Sequence, residues 1–243
     1  MYYYIFQSPK NYSENKTHEQ IKNILTIMGI SGENTNVSPA RTATELALMG
    51  IGKGYSTIVA IGGDELINEV ASNIVGSGAA LGIIPINAST DIYNLINTNN
   101  IKEACDALQK RYLEDINMGY LEPGINFLTN IHITSSKALN IQAEINNFYF
   151  ETRANKVVID NNLCVKIFAE EEKINLISNL FGMFKNKNNN LSNLNSIFYA
   201  NKIRLRTHEI IPIKIANLTI AKTPIVLYQK NNALKIIKFY SKI

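Results

Sequence analysis

Two apolar runs, each followed by a break and then by a helix pattern, constrain the fold of this chain more than any other feature. They are Thr57–Ile61, broken by Gly62 and Gly63, and Ala80–Ile84, stopped by Pro85. Continuous apolar runs of this length are typical of strands that are covered on both faces of a parallel sheet. The repeated strand–helix order therefore predicts right-handed crossovers with helices on both sides of that sheet.

Local signals place further elements around these strands. Tyr2–Phe6 is an aromatic and β-branched run and predicts a first strand. A capping box beginning at Thr17 predicts the start of the first helix, and Ser38 followed by proline predicts the start of the second. Asn100 is a suitable cap for a last helix that runs through Lys110.

The pattern changes near Tyr112, after which strand signals dominate and no internal repeat is found. We expect a helical stretch at Glu172–Phe184 and an Asn-rich loop at Lys185–Asn195. The predicted fold is α/β, with a Rossmann-like parallel-sheet domain over residues 1–114 and an antiparallel β-sandwich domain over residues 115–243. The predicted strands are Tyr112–Gly119, Phe127–Thr134, Phe148–Arg153, Lys156–Ile159, Cys164–Phe168, Ile203–Thr207, Ile211–Ile215, Ile225–Tyr228 and Leu234–Phe239.

Composition and charge limit the environment and the partners. No apolar run reaches the roughly 18 residues that span a bilayer, and the N-terminus lacks a cationic leader, so we expect a cytoplasmic protein. Residues 1–182 carry 13 Lys and Arg residues and 19 acidic residues, whereas residues 183–243 carry 11 Lys and Arg residues and one acidic residue. That basic segment is either a solvated face or a contact for an anionic membrane surface, which would make the protein peripheral at the inner membrane surface. Nucleic acid is not expected, because aromatic stacking residues do not alternate with the basic ones.

Cysteine and histidine give no sign of a metal site or a catalytic triad. Cys105 and Cys164 are isolated and are expected to be reduced structural thiols. The three histidines, at positions 18, 132 and 208, are far apart along the chain.

The segment after the Thr57–Ile61 run is the strongest chemical signal. Glycines at the end of a strand let the backbone approach a ligand closely, and the helix that follows offers free N–H groups to phosphate. An acid there, Asp64, can hold Mg²⁺ or accept the proton of a hydroxyl nucleophile. The alternative is a tight turn in which Asp64 caps the helix.

A second loop follows Ala80–Ile84 and is expected at the same sheet edge. Its small polar side chains, Asn87, Ser89 and Thr90, can hydrogen-bond a nucleotide. The alternative is a plain strand-to-helix loop in which Ser89 or Thr90 caps the next helix.

Both motifs resemble those of the diacylglycerol kinase and sphingosine kinase family, which has Gly-Gly-Asp-Gly-Thr, then Asn-Glu-Val, then Pro-x-Gly-Thr-Gly-Asn-Asp. This chain matches Gly62, Gly63, Asp64, Asn68, Glu69, Val70, Pro85 and Asp91. Later segments are similar in order, including Asp160–Val165 and Ile211–Ile215. The resemblance covers nearly the whole chain and implies an N-terminal domain like that of NAD kinases.

The resemblance implies an ATP- and Mg²⁺-dependent kinase that phosphorylates a lipid hydroxyl of the diacylglycerol type. It implies Asp64 as the catalytic residue and a nucleotide in the cleft between the domains. The cofactor-binding residues so implied are Ser8, Gly62, Gly63, Asp64, Glu65, Asn68, Glu69, Asn87, Ser89 and Thr90.

Several family positions differ in this chain. Glu65-Leu66 replaces the Gly-Thr of the first motif, and both glycines of the second are replaced, by Asn87 and Ser89. Ala216-Asn217-Leu218 stands where many bacterial members have Asp-Gly-Glu, whose Asp is a proposed base. The open alternatives are a divergent lipid kinase, a kinase-fold protein that binds nucleotide, lipid or a protein partner without catalysis, and an NAD kinase-like enzyme.

Overall fold

Helices alternate with strands in the first half of the chain, and strands make up nearly all of the second half that the structure describes. The computed structural model describes residues 1–168 and 194–240. The helices of this part are α1 (Tyr12–Ile27), α2 (Ala43–Gly52), α3 (Asp64–Ile74), α4 (Thr90–Ile96) and α5 (Ile101–Lys110). The strands are β1 (Tyr2–Phe6), β2 (Glu33–Asn36), β3 (Thr57–Gly62), β4 (Ala80–Pro85), β5 (Leu113–Leu121), β6 (Ile125–Phe127), β7 (Ile131–Ile145), β8 (Phe148–Ile159), β9 (Cys164–Phe168), β10 (Leu194–Tyr199), β11 (Lys202–Thr207), β12 (Pro212–Ile215), β13 (Leu218–Lys222) and β14 (Ile225–Ile237).

The first four strands form the predicted parallel sheet. They pair in the order β2-β1-β3-β4, and every residue of β3 and β4 is buried. Helices cover these strands and build the first hydrophobic core, in which Tyr4, Ile67 and Leu108 are at most 1% exposed. The carboxyl ends of β1, β3 and β4 consequently meet at one edge, where ligands of open α/β sheets bind.

The last strand joins the two halves of the molecule. Strand β14 runs parallel to β4, with Lys235 opposite Ala80, and antiparallel to β5 and β11. The remaining strands are antiparallel and continue the sheet in the order β11-β7-β8-β9-β10, while the β12–β13 hairpin pairs with β7. These strands enclose a second core around Phe127, Ile159 and Ile213. The predicted α/β class with a parallel first part and a β-rich second part is confirmed.

Two helix starts were predicted at the wrong residues. Helix α1 begins earlier than Thr17, because the side chain of Asn11 accepts the Glu14 N–H at 2.9 Å and caps it there. Helix α2 begins later than Ser38, because Thr42 and Glu45 form a reciprocal capping box. A complete cap satisfies two orphan N–H groups and therefore prevails over the proline signal.

Strand lengths also differ from the prediction. The stretches Ile225–Tyr228 and Leu234–Phe239 belong to one irregular strand, β14, whose register shifts between Lys230 and Leu234. Strands β7 and β8 are longer than predicted, because they form one long hairpin with a register shift between Thr134 and Leu139. The predicted helix at Glu172–Phe184 and most of the loop at Lys185–Asn195 lie outside the described residues. The predicted domain boundary at 114/115 falls within β5 and stays a prediction.

Candidate active site

The turn between β3 and α3 holds the two glycines of the first motif. The N–H of Gly63 donates a 2.8 Å hydrogen bond to the side-chain oxygen Oε1 of Gln7, the residue after β1. The backbone N–H of Gln7 in turn donates to the Ile61 carbonyl at 2.9 Å. A Cβ on Gly62 would lie 2.5 Å from Gln7 Oε1, so only glycine leaves room for this side chain. The chain's own amide therefore occupies the turn at which a phosphate oxygen was expected.

Asp64 is the first residue of α3 and points toward the second loop. Its Oδ1 accepts the N–H of Ser89 at 2.7 Å, which links the ends of β3 and β4. The Ser89 hydroxyl is buried and has no hydrogen-bond partner among the residues that the structure describes. The two predicted motifs are thus brought together through Asp64 and Ser89, as expected for neighbouring parallel strands.

A cleft of about 150 Å³ lies at this sheet edge. It has three carboxylates, from Glu14, Asp64 and Glu65, against one lysine, Lys10. The Asn87 side chain reaches across it and donates to Glu14 Oε1 at 3.2 Å. Its full lining is Gln7, Lys10, Glu14, His18, Gly62, Gly63, Asp64, Glu65, Ile86, Asn87, Ala216 and Asn217.

His18 adds no positive charge to the cleft near neutral pH. It is 5% exposed and packs edge-on against Phe6, with ring centroids 5.2 Å apart. Burial, and then the charge of Lys22, lower the pKa of the imidazole, with Glu14 and Glu19 opposing the shift. The cleft therefore carries an excess of negative charge.

The side chain of Asn68 links helix α3 to the segment that follows β6. Its Oδ1 accepts the N–H groups of Leu128 and Thr129 at 2.9 and 3.1 Å. Its Nδ2 donates to Thr129 Oγ1 at 2.7 Å and to the Asp64 carbonyl at 2.9 Å. With the residue only 4% exposed, these four bonds engage the whole amide. The predicted contact of Asn68 with a cofactor stays a prediction.

The other predicted residues lie around the cleft or beside it. Glu69 Oε1 accepts the N–H and the hydroxyl of Thr44, both at 2.9 Å, and so binds α3 to α2. Ser8 is exposed and donates its hydroxyl to the Val37 carbonyl. Thr90 is exposed at the first position of α4 and lies outside the cleft lining.

The β12–β13 turn forms the opposite wall of the cleft. Ala216 and Asn217, the residues at the family's Asp-Gly positions, both line it. This wall therefore presents a methyl group and a neutral amide opposite Glu14, Asp64 and Glu65. Ala216 has a φ of +49°, a conformation that non-glycine residues rarely adopt. At these two positions the wall therefore carries no carboxylate.

The residues that line the cleft are not arranged to bind Mg²⁺-bound ATP. The Gly63 N–H is already bound, the cleft is smaller than the roughly 300 Å³ at which ligand pockets begin, and its charge repels phosphate. No group of three or more His, Cys, Asp or Glu residues within residues 1–168 and 194–240 is arranged to hold a metal ion.

Sequence reasoning missed two contributors to this cleft. Gln7 and Glu14 carry no motif, and their contacts with Gly63 and Asn87 span 56 and 73 residues. The only available signal was that Gln7 directly follows a strand ending at the same edge as β3.

The chain has an α/β first part with a glycine turn after β3, and a second part that is rich in β-strands. Residues 6–121 match the family model described as the diacylglycerol kinase catalytic domain, which confirms the resemblance for that part of the chain. No curated protein matches the sequence.

Solved structures support the same fold over nearly the whole chain. A crystal structure titled "a putative diacylglycerol kinase from Bacillus anthracis str. Sterne" superposes with a TM-score of 0.77 at 14% identity. A second, titled as a diacylglycerol kinase from the same organism, has a TM-score of 0.73 at 16% identity. In both cases the match covers 97% of this chain and 96% of the other. At this identity the likeness establishes the fold.

Proposed function

We propose that this chain is a lipid kinase-like protein that has kept the kinase fold, does not transfer phosphate from ATP, and acts by binding a lipid. One observation carries the proposal: the Gly63 N–H, the expected phosphate contact, is bound to Gln7 at 2.8 Å. A phosphate oxygen must break this bond before it reaches the turn, which costs about 0.5–1.5 kcal/mol.

The composition of the cleft supports the same proposal. Glu14, Asp64 and Glu65 oppose the charge of a polyphosphate, and Ala216 supplies no base. Loss of a positioned base alone typically lowers a rate by about 10²–10⁴-fold. Phosphoryl transfer depends mainly on positioning and on charge neutralisation, and both are poorly served here.

A divergent lipid kinase that uses ATP and Mg²⁺ is the second candidate. The position of Asp64 favours it: one carboxylate oxygen is anchored by the Ser89 N–H, and the residue faces the cleft. A carboxylate held in this way can accept the proton of a lipid hydroxyl. Under this alternative Asp64 is the catalytic residue, and the substrate is a diacylglycerol-type lipid.

Lipid phosphorylation by wild type and by Asp64→Ala separates the two candidates. The protein would be incubated with radiolabelled ATP, Mg²⁺ and diacylglycerol in mixed micelles, with calorimetric ATP titrations of both proteins alongside. We expect no phosphorylated lipid above the Asp64→Ala background, and ATP binding no tighter than the millimolar range. Lipid phosphorylation that Asp64→Ala abolishes would instead establish the kinase.

We also propose that the protein is cytoplasmic and associates with the inner surface of the membrane. None of the helices that the structure describes is long and apolar enough to span a bilayer. Two basic residues of the C-terminal segment, Arg204 and Lys238, pair with Glu144 and Glu114 at 2.9 and 2.7 Å, so they are already partly neutralised. Binding to anionic vesicles that 0.5 M salt reverses would support the proposal, and equal binding to neutral vesicles would contradict it.

A further inference from the structure

The outward face of strands β8, β7 and β11 carries a groove that none of the predicted motifs uses. Along β7, Leu139 and Ile141 belong to the second hydrophobic core, whereas Asn140 and Gln142 are exposed on the other face. The groove over these exposed residues has a volume of about 770 Å³, within the range of ligand pockets. We refer to it as the β8–β7–β11 groove, and its polar lining includes Asn140, Gln142, Glu151, Arg153, Arg206 and His208.

The pairing register places these side chains in two neighbouring rows across the sheet. Arg206 lies opposite Gln142, on one side of β7. Arg153 lies opposite Asn140 in the next row, on the other side of β7. Because paired strands are about 4.8 Å apart and residues of one face about 6.7 Å apart, the two arginine Cα atoms are separated by about 12 Å. Two arginine side chains of this separation can converge on one small ligand above Asn140.

The charge of the groove favours an anion. Arg153 and Arg206 make no ion pair or side-chain hydrogen bond with the residues that the structure describes, whereas Arg204, on the same strand as Arg206, pairs with Glu144 at 2.9 Å. The carboxylate of the groove, Glu151, already accepts the Gln142 amide at 2.9 Å and the Tyr149 hydroxyl through Oε1. Two guanidinium groups therefore face one carboxylate that is partly engaged.

The side chains of the groove favour a phosphate group on a polar molecule. The planar fork of arginine matches the oxygens of phosphate and can bind two of them at once. Asn140 is exposed and offers an amide to a neighbouring hydroxyl. Ile141 is the one apolar residue of the lining and is only 1% exposed, so the groove gives a hydrocarbon chain no surface to contact.

We propose that the β8–β7–β11 groove binds a soluble phosphorylated polyol, with Arg153 and Arg206 holding the phosphate and Asn140 a hydroxyl. This ligand is additional to the lipid proposed above. The groove shares no lining residue with the cleft at the glycine turn, so binding here does not depend on the proposed function.

Calorimetry with glycerol phosphate, lactate and glycerol tests the ligand class. At equal ionic strength we expect glycerol phosphate to bind at least about threefold more tightly than lactate, because the phosphate accepts bonds from both arginines, and glycerol to bind most weakly. Vesicles that contain phosphatidate present the same phosphate monoester on a membrane. Binding to these vesicles without binding of glycerol phosphate would overturn the proposal and make the groove a membrane contact.

Charge variants locate the site. Arg153→Gln and Arg206→Gln are each expected to weaken glycerol phosphate binding by about three- to tenfold. Glu151→Gln should strengthen it by about twofold, because a repelling charge is removed while the oxygen that Gln142 and Tyr149 bond is kept. All three side chains are exposed, so these changes do not threaten folding.

Arg41→Gln is the matched control for the two arginine variants. Arg41 is also exposed but precedes α2 and lies outside the groove lining, so the same loss of charge should leave glycerol phosphate affinity unchanged. The proposal is overturned if Arg41→Gln weakens binding as much as Arg206→Gln, or if lactate binds as tightly as glycerol phosphate. Affinity that neither Arg153→Gln nor Arg206→Gln changes would likewise overturn it and place the phosphate elsewhere.

Discussion

The side-chain oxygen of Gln7 accepts the backbone N–H of Gly63 at 2.8 Å, across 56 residues of sequence. This bond joins the loop after β1 to the start of α3 and fills the space that the absent Gly62 side chain leaves. A glycine turn that is free to bind phosphate and one that is capped by its own chain have the same motif in sequence. The chemistry of this edge therefore depends on a residue outside the motif.

Replacing Gln7 with alanine is expected to free the Gly63 N–H for a ligand. Because the competing hydrogen bond is worth about 0.5–1.5 kcal/mol, affinity for a phosphate ligand such as ADP should rise about two- to tenfold. The free energy of unfolding should fall by about 1 kcal/mol. Calorimetry with ADP and urea unfolding measure the two effects.

Gln109→Ala is the matched control for this variant. Gln109 also makes one side-chain hydrogen bond to the backbone, at 2.7 Å to the Met28 carbonyl, but it lies on α5 away from the cleft. It should lower stability by a similar or smaller amount without changing ADP affinity. Equal ADP affinity for Gln7→Ala and the wild type would show that the hydrogen bond between Gln7 and Gly63 does not limit ADP binding.

Asn68 is expected to be among the polar residues most important for stability. Asn68→Ala would leave the buried N–H groups of Leu128 and Thr129 without a partner, at a cost of about 1–3 kcal/mol each. We expect a total loss of about 3–5 kcal/mol in urea unfolding. Asn73→Ala, which removes two half-buried bonds on the same helix, should cost about 1–2 kcal/mol. A loss from Asn68→Ala no larger than this control would contradict the positioning role.

The parallel sheet and its edge were predictable because their signals are local. The apolar runs of β3 and β4 match the predicted spans to within one residue at each end, and their carboxyl ends bring Asp64 and Ser89 together as expected. Parallel strands align in this way wherever helices connect them, so the motifs alone suffice.

The roles of individual side chains were not predictable, because they depend on contacts that are distant in sequence. Asn68 matches the family motif, yet its amide is committed to residues 60 positions away. Strand β13 was not predicted; it has only five residues and pairs with β12. The pocket between α3 and the β12–β13 hairpin likewise combines residues from separate parts of the chain, which no single segment reveals.

Stability is expected to fall as the pH drops from 7.5 to 5.5. Burial lowers the pKa values of His18 and His132 in the folded state, whereas in the unfolded chain both have the usual value near 6.5. The unfolded state therefore binds more protons below about pH 6.5, and protonation favours unfolding. Above that pH the stabilisation is complete, and carboxylates remain ionised over most of this window.

Urea unfolding at pH 7.5 and 5.5 measures this effect. His18→Leu should reduce the difference in unfolding free energy between the two pH values, whereas His208→Gln, at an exposed position, should leave it unchanged. A pH dependence that His18→Leu leaves fully intact would assign the effect to His132 instead.

Replacing Ala216 with glycine is expected to stabilise the protein slightly, because the backbone of Ala216 is strained. Its φ of +49° costs an L-residue about 1 kcal/mol relative to glycine, although glycine loses more entropy on folding. The two effects together predict that Ala216→Gly raises the free energy of unfolding by between zero and about 1 kcal/mol. Ala221→Gly in the adjacent β13, which is not among the residues of positive φ, should destabilise by about 0.5–1 kcal/mol. If both changes destabilised equally in urea unfolding, the turn would not hold Ala216 in this conformation, and the wall that it forms in the cleft would have a different shape.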